Sequence, residues 1–346
     1  MSTVDRTGQR GMHDRPGPRG RGAERLMVPP AEFTSYYGHN IVKPSPWEAD
    51  IPAYLFSGGL AAGSSLLAAG AQLTGRPALR RSGRLGALVA LLFSAFALVH
   101  DLGRPMRFVN MLRTVKLTSP MSVGSWILSS YGPFAGLAAA AELAGLLPPG
   151  ATEGRFRWAF RLLRLVEGPA GVMAAVFAPP LAAYTAPLLA DTATPAWHSA
   201  YRELPFVFCG SAAAAGGGLG MVCVPVSQAG PARRLGLGGA VVELVMEQRM
   251  ERSMGLPAEA LHTGKAAPLV KAAKAFTAAG AVGTLLAGRS RPVAVLSGAA
   301  LLAGSVCTRF GIFEAGQESA RDPKYTVVPQ RERLERHGPT RSTDPR

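Results

Sequence analysis

The stretch DIPAYLFSGGLAAGSSLLAAGAQLTGR, residues 50–76, holds no charged side chain between Asp50 and Arg76. A helix needs about 20 apolar residues to cross roughly 30 Å of hydrocarbon, so this run is long enough to span a bilayer. The same gap recurs between Lys116 and Glu142, Glu167 and Asp191, Glu203 and Arg233, and Arg291 and Arg309. A sixth run, Leu85 to His100, lies between Arg84 and Asp101 and matches a buried helix of a soluble protein in length, but its neighbours make it a span. Leu235–Gln248, which contains Glu243 and Glu247, and Pro268–Gly288, which opens with Lys271 and Lys274, complete a set of eight. The expected fold is an all-α polytopic membrane bundle of about eight transmembrane helices.

Composition agrees with that reading. Of 346 residues, 48% are hydrophobic and 17% charged, against about 25% charged in an average soluble chain. Too little polar material remains to cover a globular surface. Runs such as Gly58–Ser65 and Ser211–Gly218 are crowded with Gly, Ala and Ser, which let helix backbones approach closely. Neither is a phosphate loop, because no strand precedes it and no Lys-Ser/Thr follows. Pro179, Pro180 and Pro187 fall inside the fourth span, where they should kink or break the helix and free carbonyls toward a cavity, or simply bend the bundle end.

The net charge of +15 comes from 37 Lys and Arg against 22 Asp and Glu. It gathers in tails and loops without interleaved aromatic platforms, which argues against nucleic acid and for lipid head groups and an acidic partner subunit. Residues 1–46, rich in Arg, Gly and Pro, read as a disordered or partner-bound tail. Residues 47–310 form the transmembrane domain, and 311–346 a polar C-terminal tail. The opening residues lack an apolar h-region, so the first span is expected to act as an uncleaved insertion signal. The chain is expected in the cell's inner (cytoplasmic) membrane. Loops carrying Arg76, Arg80, Arg81 and Arg84, then Arg155, Arg157, Arg161 and Arg164, then Arg233 and Arg234, then Arg289 and Arg291, share one face, cytoplasmic by the positive-inside rule. Both termini then lie outside, although Arg104, Arg107, Arg113 and Lys116 make that face basic as well.

Cys209, Cys223 and Cys307 form no Cys-x-x-Cys pair, which excludes a disulfide framework, a chain-held Fe–S cluster and a Cys-rich zinc site. Of six histidines, one lies near the end of a clear span, so no axial pair for a b-type haem is available, and no metal site is expected. Electron transfer would have to use a diffusible carrier or a partner's cofactors. Ionisable groups at membrane depth are the remaining chemistry. Glu142, inside the third apolar stretch, is the candidate proton-path carboxylate. Glu167, Glu203, Glu243, Glu247 and Glu251 read as solvated or snorkelling charges at helix ends or on the charged helix that includes Leu235–Gln248. Glu243, Glu247 and Glu251 share one face, either a hydrated proton lane or a face paired with Arg249 and Arg252.

Between the second and third spans the chain reads His100-Asp101-Leu102-Gly103-Arg104-Pro105, then Ser119-Pro120-Met121-Ser122-Val123-Gly124-Ser125-Trp126. Asp101 and Arg104 are spaced to pair across a glycine turn stiffened by Pro105, and Ser119 or Ser122 can cap the next helix. These segments resemble the NrfD/polysulfide reductase membrane-subunit family, with its D-x-G-R/K-P-like segment and its S-P-M-S-x-G-S/T-W helix start. Trp47 with Pro52–Gly63 is similar to that family's first helix, and Arg202-Glu203-Leu204-Pro205-Phe206 to its fifth. The likeness extends over Trp47 to Tyr325.

The resemblance implies a helical anchor that binds a menaquinone- or ubiquinone-type quinone near one face. Electrons would pass between that quinone, a docked ferredoxin-like four-cluster Fe–S subunit and a molybdopterin (molybdenum or tungsten) catalytic subunit, such as a formate dehydrogenase or a polysulfide reductase. The implied pocket comprises Trp47, Glu48, Asp50, Tyr54, His100, Asp101 and Arg104. Family members can carry a histidine in the first helix where this chain has Tyr54, and a phenol can donate the same hydrogen bond. Tyr54 or His100 would then be the donor to a quinone carbonyl, with Asp101 orienting His100 or relaying a proton, or else only holding the loop with Arg104. Arg107, Arg113 and Lys116 are the implied partner-docking surface, or contacts to lipid phosphate. From the residues alone, a secondary transporter or proton-conducting protein, and a purely structural anchor, remain open.

Overall fold

The computed structural model describes residues 40–104, 106–148 and 157–337, and among them every regular element is helical. Most of the expected N-terminal tail, Pro105, Arg155 and the last residues lie outside them. In chain order the elements are α1 (Asp50–Leu73), α2 (Pro77–Asp101), α3 (Arg107–Arg113), α4 (Pro120–Ala144), α5 (Arg157–Ala183), α6 (Thr185–Ala190), α7 (Pro195–Ser199), α8 (Leu204–Cys223), α9 (Gly230–Met254), a 3-10 helix (Leu256–His262), α10 (Ala266–Leu286), α11 (Arg291–Arg321) and α12 (Lys324–His337).

A long helix occupies each of the eight expected spans, the fourth being α5 continued by α6. Six of these are long and apolar enough to cross a membrane: α1, α2, α5 with α6, α8, α10 and α11. In α4 the hydropathy is lowered by Ser122, Ser125, Ser129 and Ser130 with three glycines, and in α9 by seven charged side chains. Proline at the first or second position starts α2, α4, α7, α8, α9 and α11, where its missing N–H costs nothing. Large apolar side chains left outside, such as Leu92, Phe93 and Phe96 on α2 or Leu165 and Val176 on α5, form the lipid-facing surface.

The helices run back and forth between two ends, named here for Asp50 and Arg80. Helix α1 packs against α2, α5, α8 and α11. Its closest approach is to α8, where a Cβ on Gly63 would fall 2.1 Å from the Ala212 carbonyl oxygen and one on Gly216 2.4 Å from Gly63. At the Arg80 end the turns interlock: Gln228 Oε1 accepts from the Ala78 N–H at the start of α2, while Arg76 donates to the Ser227 and Gln228 carbonyls. Arg291 donates to the Met221, Val222 and Val224 carbonyls, satisfying the otherwise orphaned end of α8.

Two boundaries differ from expectation. The polar tail assigned from residue 311 is instead the continuation of α11 to Arg321, because one face of that stretch is buried: Phe313 packs on Trp197 with ring centroids 5.6 Å apart, and Gln317 donates to the Ser45 and Trp47 carbonyls. Glu314, Glu318 and Arg321 lower its average hydropathy without exposing the buried side. The same Gln317 bonds bring residues 45–47 into the folded domain and set the two described chain ends at the Asp50 end.

Candidate functional site at the Asp50 end

Helix α1 begins at this end and α2 finishes there, so Asp50 and His100, fifty residues apart, become neighbours: His100 Nδ1 lies 2.6 Å from Asp50 Oδ2. With a carboxylate on Nδ1, that nitrogen carries the proton of the neutral ring and Nε2 is left to exchange protons. Phe96 stacks on the imidazole at 5.9 Å. Glu48 and Asp101 both act on it electrostatically, giving an acidic rim around a single imidazole.

Asp101 and Arg104 do not pair, contrary to their spacing. Gly103, at φ 63°, ends α2 in a left-handed turn that leaves Arg104 exposed on the connector while Asp101 stays half-buried beside Asp50. Neither serine caps α4 either. Pro120 already removes one orphan N–H, and Ser122 instead ties down the preceding loop, accepting from the Lys116 N–H at 3.0 Å and donating to the Thr114 carbonyl at 3.1 Å.

Below the rim, Tyr54 is buried and meets Tyr184 edge-on at 6.5 Å. Tyr184 sits at the break between α5 and α6, and this break is the one that Pro179, Pro180 and Pro187 announce. Its hydroxyl is buried without a hydrogen-bond partner among the described residues. Gly124 makes room for its ring, since a Cβ there would lie 2.3 Å from it. Trp47 stacks on Trp197 at 6.0 Å, and Trp197 Nε1 donates to the Ile312 carbonyl at 2.9 Å. Tyr184 and Trp197 were not singled out from the sequence. The paired prolines marked the place of the first, whereas nothing local marked the second.

Arg104, Arg107, Arg113 and Lys116 are all exposed and form no ion pair with a described carboxylate. An apolar crevice of about 190 Å³ opens beside them between α4, α5 and residues 115–117; Lys116, Trp126 and Phe177 are among its walls. No cluster of three His, Cys, Asp or Glu side chains able to hold a metal ion occurs among the described residues.

A family model described as polysulphide reductase, NrfD, matches residues 39–230, more than half of the chain. The chain belongs to the NrfD, polysulphide reductase family. No match arises among curated proteins. NrfD proteins are quinone-related membrane subunits of molybdoenzyme complexes. The matched segment contains α1 to α8, hence Asp50, Tyr54, His100, Asp101 and Tyr184 together.

The structure of this NrfD chain separates Glu142 from that group. Helix α4 starts at the Asp50 end and carries Glu142 to the other, where it is held by Arg80 (2.6 Å), Arg84 (3.0 Å) and Arg81 (3.6 Å). Arg84, itself buried, also reaches Glu167 at 2.6 Å and Gln72 at 2.6 Å, so four helices meet on one guanidinium. The carboxylates at depth without a paired arginine are others. Glu243, 1% exposed, accepts from Thr308 Oγ1 at 2.7 Å, and its second oxygen is buried near Ser211. Arg309, fully enclosed, stacks over Phe208 at 3.6 Å, and its Nε and Nη1 have no hydrogen-bond partner among the described residues. Glu247 on the same helix is buried as well, whereas Glu203, at the start of α8, is buried within reach of an arginine. These are not the solvated helix-end charges the sequence implied, because α8, α10 and α11 enclose that face of α9. Glu251 pairs with Lys274 at 2.5 Å, and Arg249 turns to Glu203 at 3.9 Å instead of serving the stripe.

Glu142→Gln keeps the shape of the arginine clamp and removes its charge. Breaking a buried ion pair on one side costs on the order of 3 kcal/mol, so the purified variant should unfold earlier in a denaturant or thermal titration by about that amount. Turnover per folded molecule should stay unchanged. Unchanged stability with lost turnover would instead give Glu142 a role in proton movement.

Proposed function

We propose that this chain is the quinone-reactive membrane subunit of a multi-subunit molybdenum or tungsten oxidoreductase, of formate dehydrogenase or polysulfide reductase type. It exchanges electrons between membrane quinone and a ferredoxin-like four-cluster Fe–S subunit docked at the Asp50 end, and is catalytically incomplete alone. The observation that carries this reading is the Asp50–His100 pair above the buried Tyr54 and Tyr184, within the segment the family match covers.

The residues fit a quinone on one structural ground: a buried phenol without an acceptor among the described residues, Tyr184, adjoins Tyr54, and a quinone offers two carbonyl acceptors. When bound, the quinone supplies the two-electron, two-proton couple of menaquinone or ubiquinone type. Tyr54 donates a hydrogen bond and fixes orientation. His100 gives or takes a proton at Nε2, and Asp50 holds its tautomer through Nδ1. Asp101 and Glu48 stabilise the charged imidazole and connect it to water at the surface. Trp47 closes the site on the α7 side by stacking on Trp197. The exposed row Arg104, Arg107, Arg113 and Lys116 presents an unneutralised basic surface to an acidic partner, which steers docking next to the proton-handling group. Transfer distances remain short because donor and site occupy the same end.

In this reading the arginine-rich Arg80 end faces the cytoplasm, and the docking end faces outward across the inner membrane. A membrane-impermeant maleimide should label Thr118→Cys in intact cells and Ser227→Cys only after permeabilisation; the reverse pattern inverts the orientation. In the assembled complex, His100→Ala and Asp50→Asn should each lower quinone-linked turnover by about 10²-fold or more, the usual weight of a positioned acid–base group. Activity with an artificial dye at the catalytic subunit should persist. Loss of both activities would make the pair an assembly contact and overturn its assignment to quinone chemistry.

A further inference from the structure

At the Arg80 end, six of the arginines, on the turn between α1 and α2, on α2 and on α9, divide into two groups. Arg80, Arg81 and Arg84 each face Glu142. Arg76, Arg233 and Arg234 form no ion pair with any described carboxylate, yet they line one crevice of about 280 Å³ whose walls contain no acidic residue. We propose that this crevice binds the phosphate of an anionic membrane phospholipid, a role separate from the quinone reading and independent of it.

Three features converge on an anion. Part of each inner guanidinium is spent on backbone: Arg233 donates to the Thr284 and Leu285 carbonyls, and Arg76 to those of Ser227 and Gln228. These bonds fix the two cations in place without neutralising them. Arg76 Nε is buried with no hydrogen-bond partner among the described residues, a donor still to be satisfied. Arg234 is exposed and bonds to nothing among the described residues, so its full charge is available at the mouth. Three guanidiniums held together without a carboxylate repel one another unless an anion sits between them, and a planar guanidinium matches phosphate oxygens in pairs.

The walls indicate that the phosphate belongs to a lipid. Gly230 opens α9 and Thr284 and Leu285 close α10, so the crevice lies at the ends of two spans, the depth of head groups. Leu237 lines the crevice, and Val241 and Val245 follow at intervals of four along the same face of α9, exposed by 51% and 57%. On α10, Val282 and Leu285 are also exposed. An apolar track thus descends from the basic mouth toward the bilayer core, where an acyl chain continues from its head group. A free phosphate would use the mouth and leave the track idle.

The test uses the full chain, delipidated in neutral detergent, with thermal stability measured against added phosphatidylglycerol, phosphatidylcholine and inorganic phosphate. Phosphatidylglycerol should stabilise the wild type, and the other two should not. Affinity should fall about fivefold for each arginine removed, from the roughly 1 kcal/mol each basic residue contributes near an anionic surface. Arg76→Gln with Arg234→Gln should therefore lose about 25-fold. Arg161→Gln with Arg164→Gln, the same charge change at exposed positions on the same end, should lose little. If the double variant does not fold, Arg234→Gln alone carries the test with a fivefold loss, since it breaks no bond in the structure. Equal losses in the two double variants, equal stabilisation by phosphatidylcholine, or equal stabilisation by inorganic phosphate would each overturn the proposal.

Discussion

Backbone contact between α1 and α8 at Gly63 and Gly216 is the constraint on which the rest of the bundle depends. Hydrocarbon gives no hydrophobic drive for one apolar helix to meet another, so association must come from close packing and polar contacts. A side chain at either glycine would collide with the opposite main chain. With that approach allowed, α1 becomes the central helix, and the proposed quinone site at the Asp50 end hangs on it: Asp50 at its start, Tyr54 one turn below. The same contact seats Arg309 of α11 beside Gly59, which explains how a guanidinium can be fully enclosed with Phe208 over one face.

The two ends of the bundle use arginine differently. At the Arg80 end, arginines are structural where a carboxylate meets them and open where none does. At the Asp50 end the cations sit on the connector after α2, while the acidic groups Glu48, Asp50 and Asp101 gather around His100. Charge separation of this kind puts a proton-exchanging ring beside a surface suited to an acidic protein. A buried polar line through Glu247, Glu243, Thr308 and Arg309 runs from that end into the middle of α9 and α11, in the half of the bundle that the family match does not reach. Little in the local sequence marks this line, because the charges of α9 read as solvated until its neighbours are in place.

Much of the fold was legible because crossing a bilayer demands long uncharged runs, and α1, α5 and α8 supply them plainly. What eluded the sequence was information held between helices. The Asp101–Arg104 spacing favoured a local pair, but the pair that forms is Asp50–His100, across two helix ends. Glu142 looked like an isolated intramembrane acid because its three arginine partners lie some sixty residues earlier on α2. Glu243 and Glu247 looked solvated because α9 carries many charges, although only one of its faces meets lipid or water. The end of α11 was placed too early since averaging over a helix hides a polar face opposite a buried one. The motif around Asp101 and Ser119 located the candidate site, and the proline break located Tyr184 without naming its role.

Photoaffinity labelling of the purified complex with an azido-quinone, followed by peptide mapping, locates the quinone relative to Asp50, Tyr54, His100 and Tyr184. Adducts are expected on peptides containing Trp47–Tyr54, His100–Arg104 or Tyr184, all suppressed by excess native quinone. Competable labelling confined to other helices, or no competable labelling in a complex that turns over quinone, would contradict that placement.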